Sequence, residues 1–66
     1  MENTIKVERA KLNLTQQDLA DLVGVSRQTI NSIEAERYVP STTLSLKISK
    51  IFKTTVNEIF KLDEDD

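Results

Sequence analysis

Arg27, Gln28, Asn31 and Ser32 place a guanidinium, two amides and a hydroxyl on one side of a short segment whose other side carries Ile30 and Ile33. In a helix turning 100° per residue, the two isoleucines fix the inward direction. Gln28 and Ala35 then point almost directly away from it, with Asn31 and Ser32 within about 50° of that line. Arg27 lies to the side, at the amino end, with a long reach. These groups match the edges of nucleotide bases. An amide pairs bidentately with adenine and a guanidinium with guanine, each worth about 1–3 kcal/mol of discrimination. Ser32 donates or accepts, and Ala35 suits a thymine methyl. The same residues would also serve as the solvated face of any exposed helix, so the surrounding spacing has to decide.

The elements that would position this face are readable from caps and stripes. Thr15 and Asp18 form a capping-box pattern, an acid standing for the usual Glu. Leu19, Leu22 and Val23 follow as an i, i+3, i+4 stripe, and Gly24 stops the helix by taking a positive φ without steric cost. Ser26 caps the next helix, which runs to about Glu36. Pro40 blocks further helix and Ser41 caps another. That helix carries Leu44, Ile48, Ile51 and Phe52, with Lys47, Lys50 and Lys53 as a solvated face. Thr55 caps a short last helix bearing Val56, Ile59 and Phe60. A first helix spans roughly Thr4 to Leu12, anchored by Ile5 and Leu12. The expectation is an all-α domain of five short helices over residues 1–62, followed by an acidic tail, 63–66. Met1 to Asn3 can pair as a short strand with the segment after Phe60.

The stretch 16–35 is more specific than its helices. Two short helices joined by a few residues with a glycine describe a helix-turn-helix. Counting from Gln16, Ala20 is the fifth residue, where the two helices cross and a larger side chain would clash. Gly24 is the ninth, at the turn that needs positive φ. Leu19, Val23, Val25, Ile30 and Ile33 fill the positions that must face inward. In such a motif the amino-terminal residues of the second helix meet base edges in the major groove.

At this point the chain resembles the Xre/Cro family of phage and bacterial repressors. The likeness is carried by Leu14-Thr15-Gln16, Leu19-Ala20, Gly24-Val25-Ser26-Arg27, Thr29-Ile30, Ile33-Glu34 and Pro40-Ser41, and extended by Leu46-Lys47-Ile48 and Glu58-Ile59-Phe60. It implies a five-helix, lambda-repressor-like DNA-binding domain, dimeric operator binding and transcriptional control, in a short single-domain member. It also implies that Arg9 and Glu34 form a buried ion pair between the first helix and the end of the third; the alternative for Arg9 is a phosphate contact. Three residues depart from the pattern. Asn13 and Lys53 stand where glycine is common, and Glu8 where leucine is common.

Phosphate contacts are expected to flank the reading helix. Thr15 and Gln16 offer a helix amino terminus and an amide. Thr29, Arg37 and Tyr38 are the further candidates, Tyr38 having the alternative of packing over its loop. Val56, Ile59, Phe60 and Leu62 supply more apolar surface than a terminal helix should expose. Part of it can cover the monomer's core, and part is expected to form a two-fold homodimer interface presenting two reading helices one DNA turn, about 34 Å, apart. The partner is then a palindromic double-stranded DNA operator.

Composition bounds the alternatives. A chain of 66 residues holds one domain and buries only about 60% of its unfolded surface, so it is marginally stable alone. It has no cysteine and no histidine, which excludes zinc sites of the Cys/His type and Cys or Ser–His nucleophilic catalysis. No carboxylate constellation converges either, so neither an enzyme nor a cofactor or metal is expected. No apolar run approaches the ~18 residues of a membrane span, and the amino end lacks a signal-peptide pattern; the expectation is a cytoplasmic protein without a membrane partner. Net charge is −2, yet four of the eleven acids are Asp63, Glu64, Asp65 and Asp66. Without them nine basic groups face seven acidic ones, which permits a nucleic-acid partner without arguing for one. The tail itself reads as a solubilising disordered end, or as a brake on non-specific DNA binding. Two rivals to a repressor remain: the antitoxin of a toxin–antitoxin pair, which would add a protein partner, and a pure protein-interaction module, which would show no salt-dependent DNA binding.

Overall fold

Each of the middle helices begins where a short hydroxyl side chain replaces a missing backbone partner. The computed structural model describes residues 1–66. It contains strand β1 (Glu2–Asn3), helices α1 (Ile5–Lys11), α2 (Gln16–Val23), α3 (Arg27–Glu34), α4 (Thr42–Phe52) and α5 (Val56–Ile59), and strand β2 (Phe60–Lys61). At α2 the capping box is complete: Asp18 N donates to Thr15 Oγ1 at 2.9 Å and Thr15 N donates to Asp18 Oδ2 at 3.0 Å. Ser26 Oγ accepts from Thr29 N, and Ser41 Oγ from Leu44 N, each at 3.1 Å. Thr55 stands at the expected N-cap of α5, but its side chain makes no capping hydrogen bond. Helix α5 is a single turn, and Thr54 anchors it by donating its hydroxyl to Glu58 Oε2 at 2.8 Å.

Four helices end the same way, although the chain has only one glycine. Asn13, Gly24, Glu36 and Lys53 all adopt positive φ, at 56°, 78°, 61° and 55°. After each, a backbone N–H folds back five residues: Leu14 to Arg9 O, Val25 to Ala20 O, Arg37 to Ser32 O and Thr54 to Ser49 O, at 2.9–3.1 Å. This closure satisfies carbonyls that would otherwise lack partners. Helix α3 therefore stops at Glu34, before the expected Glu36, because Glu36 itself makes the left-handed turn.

A left-handed lysine strains the backbone by about 1–2 kcal/mol, against the greater freedom glycine loses on folding, about 0.5–1 kcal/mol. Lys53→Gly is therefore expected to stabilise the domain by about 0.5–1 kcal/mol, seen as a rise of a few degrees in a thermal melt. An unchanged or lower melting temperature would show that the strain at Lys53 is not felt.

The core is one cluster: Ile5, Leu19, Ala20, Val23, Ile30, Ile33, Leu44, Ile48, Phe52, Ile59 and Phe60, all buried. Two expected anchors lie outside it. Leu12 follows the last residue of α1, where the chain turns toward Asn13, and is half exposed. Leu22 is exposed because burial of Ala20 rotates the inner face of α2 toward Leu19, Ala20 and Val23, leaving Leu22 on its flank. Ile51 is only partly buried. Glu8, in a place where leucine is common, turns outward to Lys11 Nζ at 2.9 Å.

The termini correct two further expectations. Ile59 and Phe60, assigned to a subunit interface, are 0% and 7% exposed and belong to the monomer's own core. The short α5 drops them there because the strand that follows is pinned at once. Glu2 pairs with Lys61 and Asn3 with Phe60 in a two-residue antiparallel clip, and Thr4 N donates to Ile59 O at 2.9 Å. The tail is not a free end: the Met1 amine lies 2.9 Å from Asp63 and 3.6 Å from Asp66. The fold is all-α, with this clip as its only sheet. No helix is long and apolar enough to cross a membrane.

Candidate nucleic-acid interface

The crossing of α2 and α3 sets the geometry. Ala20 is fully buried, and its carbonyl accepts from both Gly24 N and Val25 N, at 2.8 and 3.0 Å. A Cβ at Gly24 would meet nothing within 4 Å, so the backbone angle and not crowding calls for glycine. The turn delivers the chain to Ser26, whose cap starts α3. Ile30 and Ile33 anchor that helix inward at 0% and 1% exposure.

On the opposite side Arg27, Gln28 and Ala35 are exposed, and Asn31 and Ser32 are half-buried. The left-handed turn at Glu36 brings Arg37 and Tyr38, both exposed, back along the same helix. Ser26, Gln28, Thr29, Ser32, Arg37 and Tyr38 together line an open cleft of about 290 Å³. Five of these six residues are polar, and Tyr38 is the one hydrophobic wall. Ser26 was expected only as a cap. Its hydroxyl lies 3.0 Å from that of half-buried Thr29, so the cap is also part of the cleft wall.

The amino end of α2 differs from its expected role. The Thr15 backbone N–H is taken by Asp18. The Gln16 amide faces inward, its Nε2 lying 3.3 Å from both Asn31 Oδ1 and Glu34 Oε1. The groups left open at this end are first-turn backbone N–H groups, which have no partner within the helix. No spacing rule reveals this inward turn, since the partners stand fifteen and eighteen residues further along the chain.

Behind the face sits a charged brace. Arg9 Nε and Nη2 donate to Glu34 Oε2 and Oε1 at 2.7 and 3.0 Å, and Nη1 donates to Leu14 O at 2.9 Å. One guanidinium thus ties α1, the α1–α2 turn and the end of α3. The hydrogen bond to Glu34 holds the Arg9 pKa above its ordinary value, against partial desolvation. Asn3 adds a second tie, donating from Nδ2 to Ile33 O at 2.8 Å. Lys47 and Lys50 lie elsewhere, beside Asp21, Leu22 and Ile51. No three metal-ligating side chains converge.

The capping box makes α2 sensitive to acid. Bonds from the Thr15 backbone N–H, and then its hydroxyl, hold the Asp18 carboxyl below its ordinary pKa. Its contribution is therefore complete above the ordinary carboxylate range and is lost as pH falls through the lowered value. Across roughly pH 5 to 2, the melting temperature of Asp18→Asn should fall less steeply than that of the parent. Parallel acid limbs would remove Asp18 as a source of the acid sensitivity.

Comparison with known proteins agrees with this arrangement. The profile of the helix-turn-helix family matches residues 5–59. An uncharacterised HTH-type transcriptional regulator of Methanocaldococcus jannaschii is 48% identical over 66 residues, covering all of both chains. One from Archaeoglobus fulgidus is 44% identical over all of this chain and 93% of its own. The uncharacterised HTH-type transcriptional regulator YgzD of Bacillus subtilis is 43% identical over 98% of each. With the profile spanning α1 to α5 and relatives of matching length, the chain belongs to the Xre-type helix-turn-helix family.

Proposed function

We propose that the protein is a sequence-specific DNA-binding transcriptional regulator, acting in the cytoplasm as a homodimer that represses by occupying a palindromic operator. The observation that carries this reading is the exposed polar side of α3, where Arg27, Gln28, Asn31 and Ser32 project beside a polar cleft closed by Arg37 and Tyr38. The side chains of Arg27 and Gln28 are exposed and make no hydrogen bond within the chain, so their donors and acceptors are free for base edges. Thr29, Arg37 and Tyr38 would hold phosphate. The family relatives, named as HTH-type transcriptional regulators, support the same reading.

Dimerisation is supported by apolar surface that the monomer leaves open. With Ile59 and Phe60 in the core, Leu62, 75% exposed, and partly buried Val56 remain of the expected interface, and Val39 and Leu46, 60% and 56% exposed, add to it. Val39, Pro40, Leu46 and Val56 share a groove lined by no charged side chain, and the amine of Met1 beside it is paired with Asp63 and Asp66. A protomer of 31 × 22 × 20 Å is compatible with two reading helices one DNA turn apart, about 34 Å.

Selection from a pool of random duplexes tests the proposal. The expected result is an enriched inverted repeat with half-sites centred about 10–10.5 base pairs apart, or a multiple of that, bound more weakly as salt rises. Failure to enrich any sequence, or binding indifferent to salt, would refute it.

A further inference from the structure

We infer that Asn31 reads DNA as a hydrogen-bond donor alone, because Gln16 and the Arg9–Glu34 pair hold its amide carbonyl inward. The inference rests on the DNA-binding reading and adds the polarity of one contact, hence the class of base edge it accepts.

The polarity follows from a chain of four side chains. An ionised carboxylate can accept but not donate, and both oxygens of Glu34 receive N–H groups from Arg9. Glu34 Oε1 lies 3.3 Å from one end of the Gln16 amide. That end must be the nitrogen, since the oxygen there would face a carboxylate oxygen. The same nitrogen lies 3.3 Å from the Asn31 amide. Having given one hydrogen to Glu34, it offers the other to Asn31, so the Asn31 atom facing it must be Oδ1. The reverse orientation would set two NH2 groups against each other.

Asn31 Nδ2 consequently points the other way. It has no partner within the chain, and no buried side-chain nitrogen or oxygen of the protein lacks a partner, so this NH2 is open to solvent. It emerges on α3 one turn beyond Arg27 and Gln28.

An unrestrained asparagine pairs bidentately with adenine, its oxygen accepting from N6 and its nitrogen donating to N7. The Asn31 oxygen is turned inward to Gln16 and so faces away from the groove. What remains suits an edge made of acceptors: guanine N7 and O6 first, thymine O4 second. The N6 and N4 amino groups of adenine and cytosine find no acceptor. Gln16 thus acts through Asn31 as a positioning residue, and Arg9 and Glu34 fix Gln16.

The test is selection from random duplexes with the parent, Asn31→Ala and Gln16→Leu, each first shown to be folded by circular dichroism, with Gln16→Met replacing a leucine variant that does not fold. The expected parent result is a position whose preference vanishes in Asn31→Ala and which favours guanine or thymine over adenine by about tenfold. In Gln16→Leu the freed amide should erase or invert that preference and leave the positions read by Arg27 and Gln28 unchanged. A purely structural role for Gln16 would instead weaken all positions alike. If the Asn31-dependent base is adenine or cytosine, if no position depends on Asn31, or if Gln16→Leu keeps the parent preference or weakens all positions alike, the inference is overturned while DNA recognition stands. If the parent enriches nothing, the DNA-binding reading itself fails.

Discussion

Arg9→Ala is expected to destabilise the domain by about 2–3 kcal/mol, between the cost of losing an exposed ion pair and that of stranding a fully buried charge. The side chains of Arg9 and Glu34 are 14% and 9% exposed, so Glu34 without its partner would keep a charge in a place water reaches poorly. The substitution also removes the donor to Leu14 O in the α1–α2 turn. For a domain of this size such a loss lowers the melting temperature by about 10–20 °C. Arg9→Lys should fall between the two, because a single ammonium cannot reproduce the fork. Replacing both partners together, Arg9→Met with Glu34→Leu, should recover much of the loss, since it leaves no stranded charge. Melting curves of the three variants check this order. A shift of only two or three degrees in Arg9→Ala would mean that the brace contributes no more than an ordinary surface pair.

The second large effect concerns binding and leaves stability alone. The Gln28 side chain is exposed and has no hydrogen-bond partner in the chain, so Gln28→Ala should leave the melt unchanged. On the proposed reading it removes an amide from the major groove, costing about 1–3 kcal/mol per half-site, or roughly 5- to 150-fold in affinity. The loss should be confined to one base position in each half-site, which becomes indifferent to sequence. Lys47→Ala, on the far helix α4, should shift no base preference. Titration of the two variants against operator duplexes substituted at each position makes the comparison. Uniform weakening by Gln28→Ala across all sequences would reassign that residue to the DNA backbone.

What could be read directly from the chain was what is local. The caps at Thr15, Ser26 and Ser41 and the stop at Gly24 each depend on residues within a turn of one another, and those spacings are printed in the sequence. Local stripes left the centre of a buried face uncertain. Leu19, Leu22 and Val23 fit a helical face equally well whether or not Ala20 is inside, and burial of Ala20 is what pushed Leu22 out. Arg37 and Tyr38 were legible as candidates flanking the reading helix, but nothing about a glutamate signals the left-handed turn at Glu36 that lays them along it. A surplus of apolar residues near the end was visible, but its division between Ile59 and Phe60 inside and Leu62 outside depends on the β1–β2 clip joining the two ends of the chain. The Arg9–Glu34 pair came from family resemblance alone. The Gln16–Asn31 link came from neither, because contacts between elements distant in sequence leave no periodic trace.

The most direct test of the central claim is amide chemical-shift mapping of the labelled protein titrated with its selected duplex. The largest changes are expected on Arg27, Gln28, Asn31 and Ser32, including the side-chain amides of Gln28 and Asn31, with smaller ones at the start of α2 and at Arg37 and Tyr38. Changes centred instead on Lys47 and Lys50 of α4, with α3 unmoved, would contradict it.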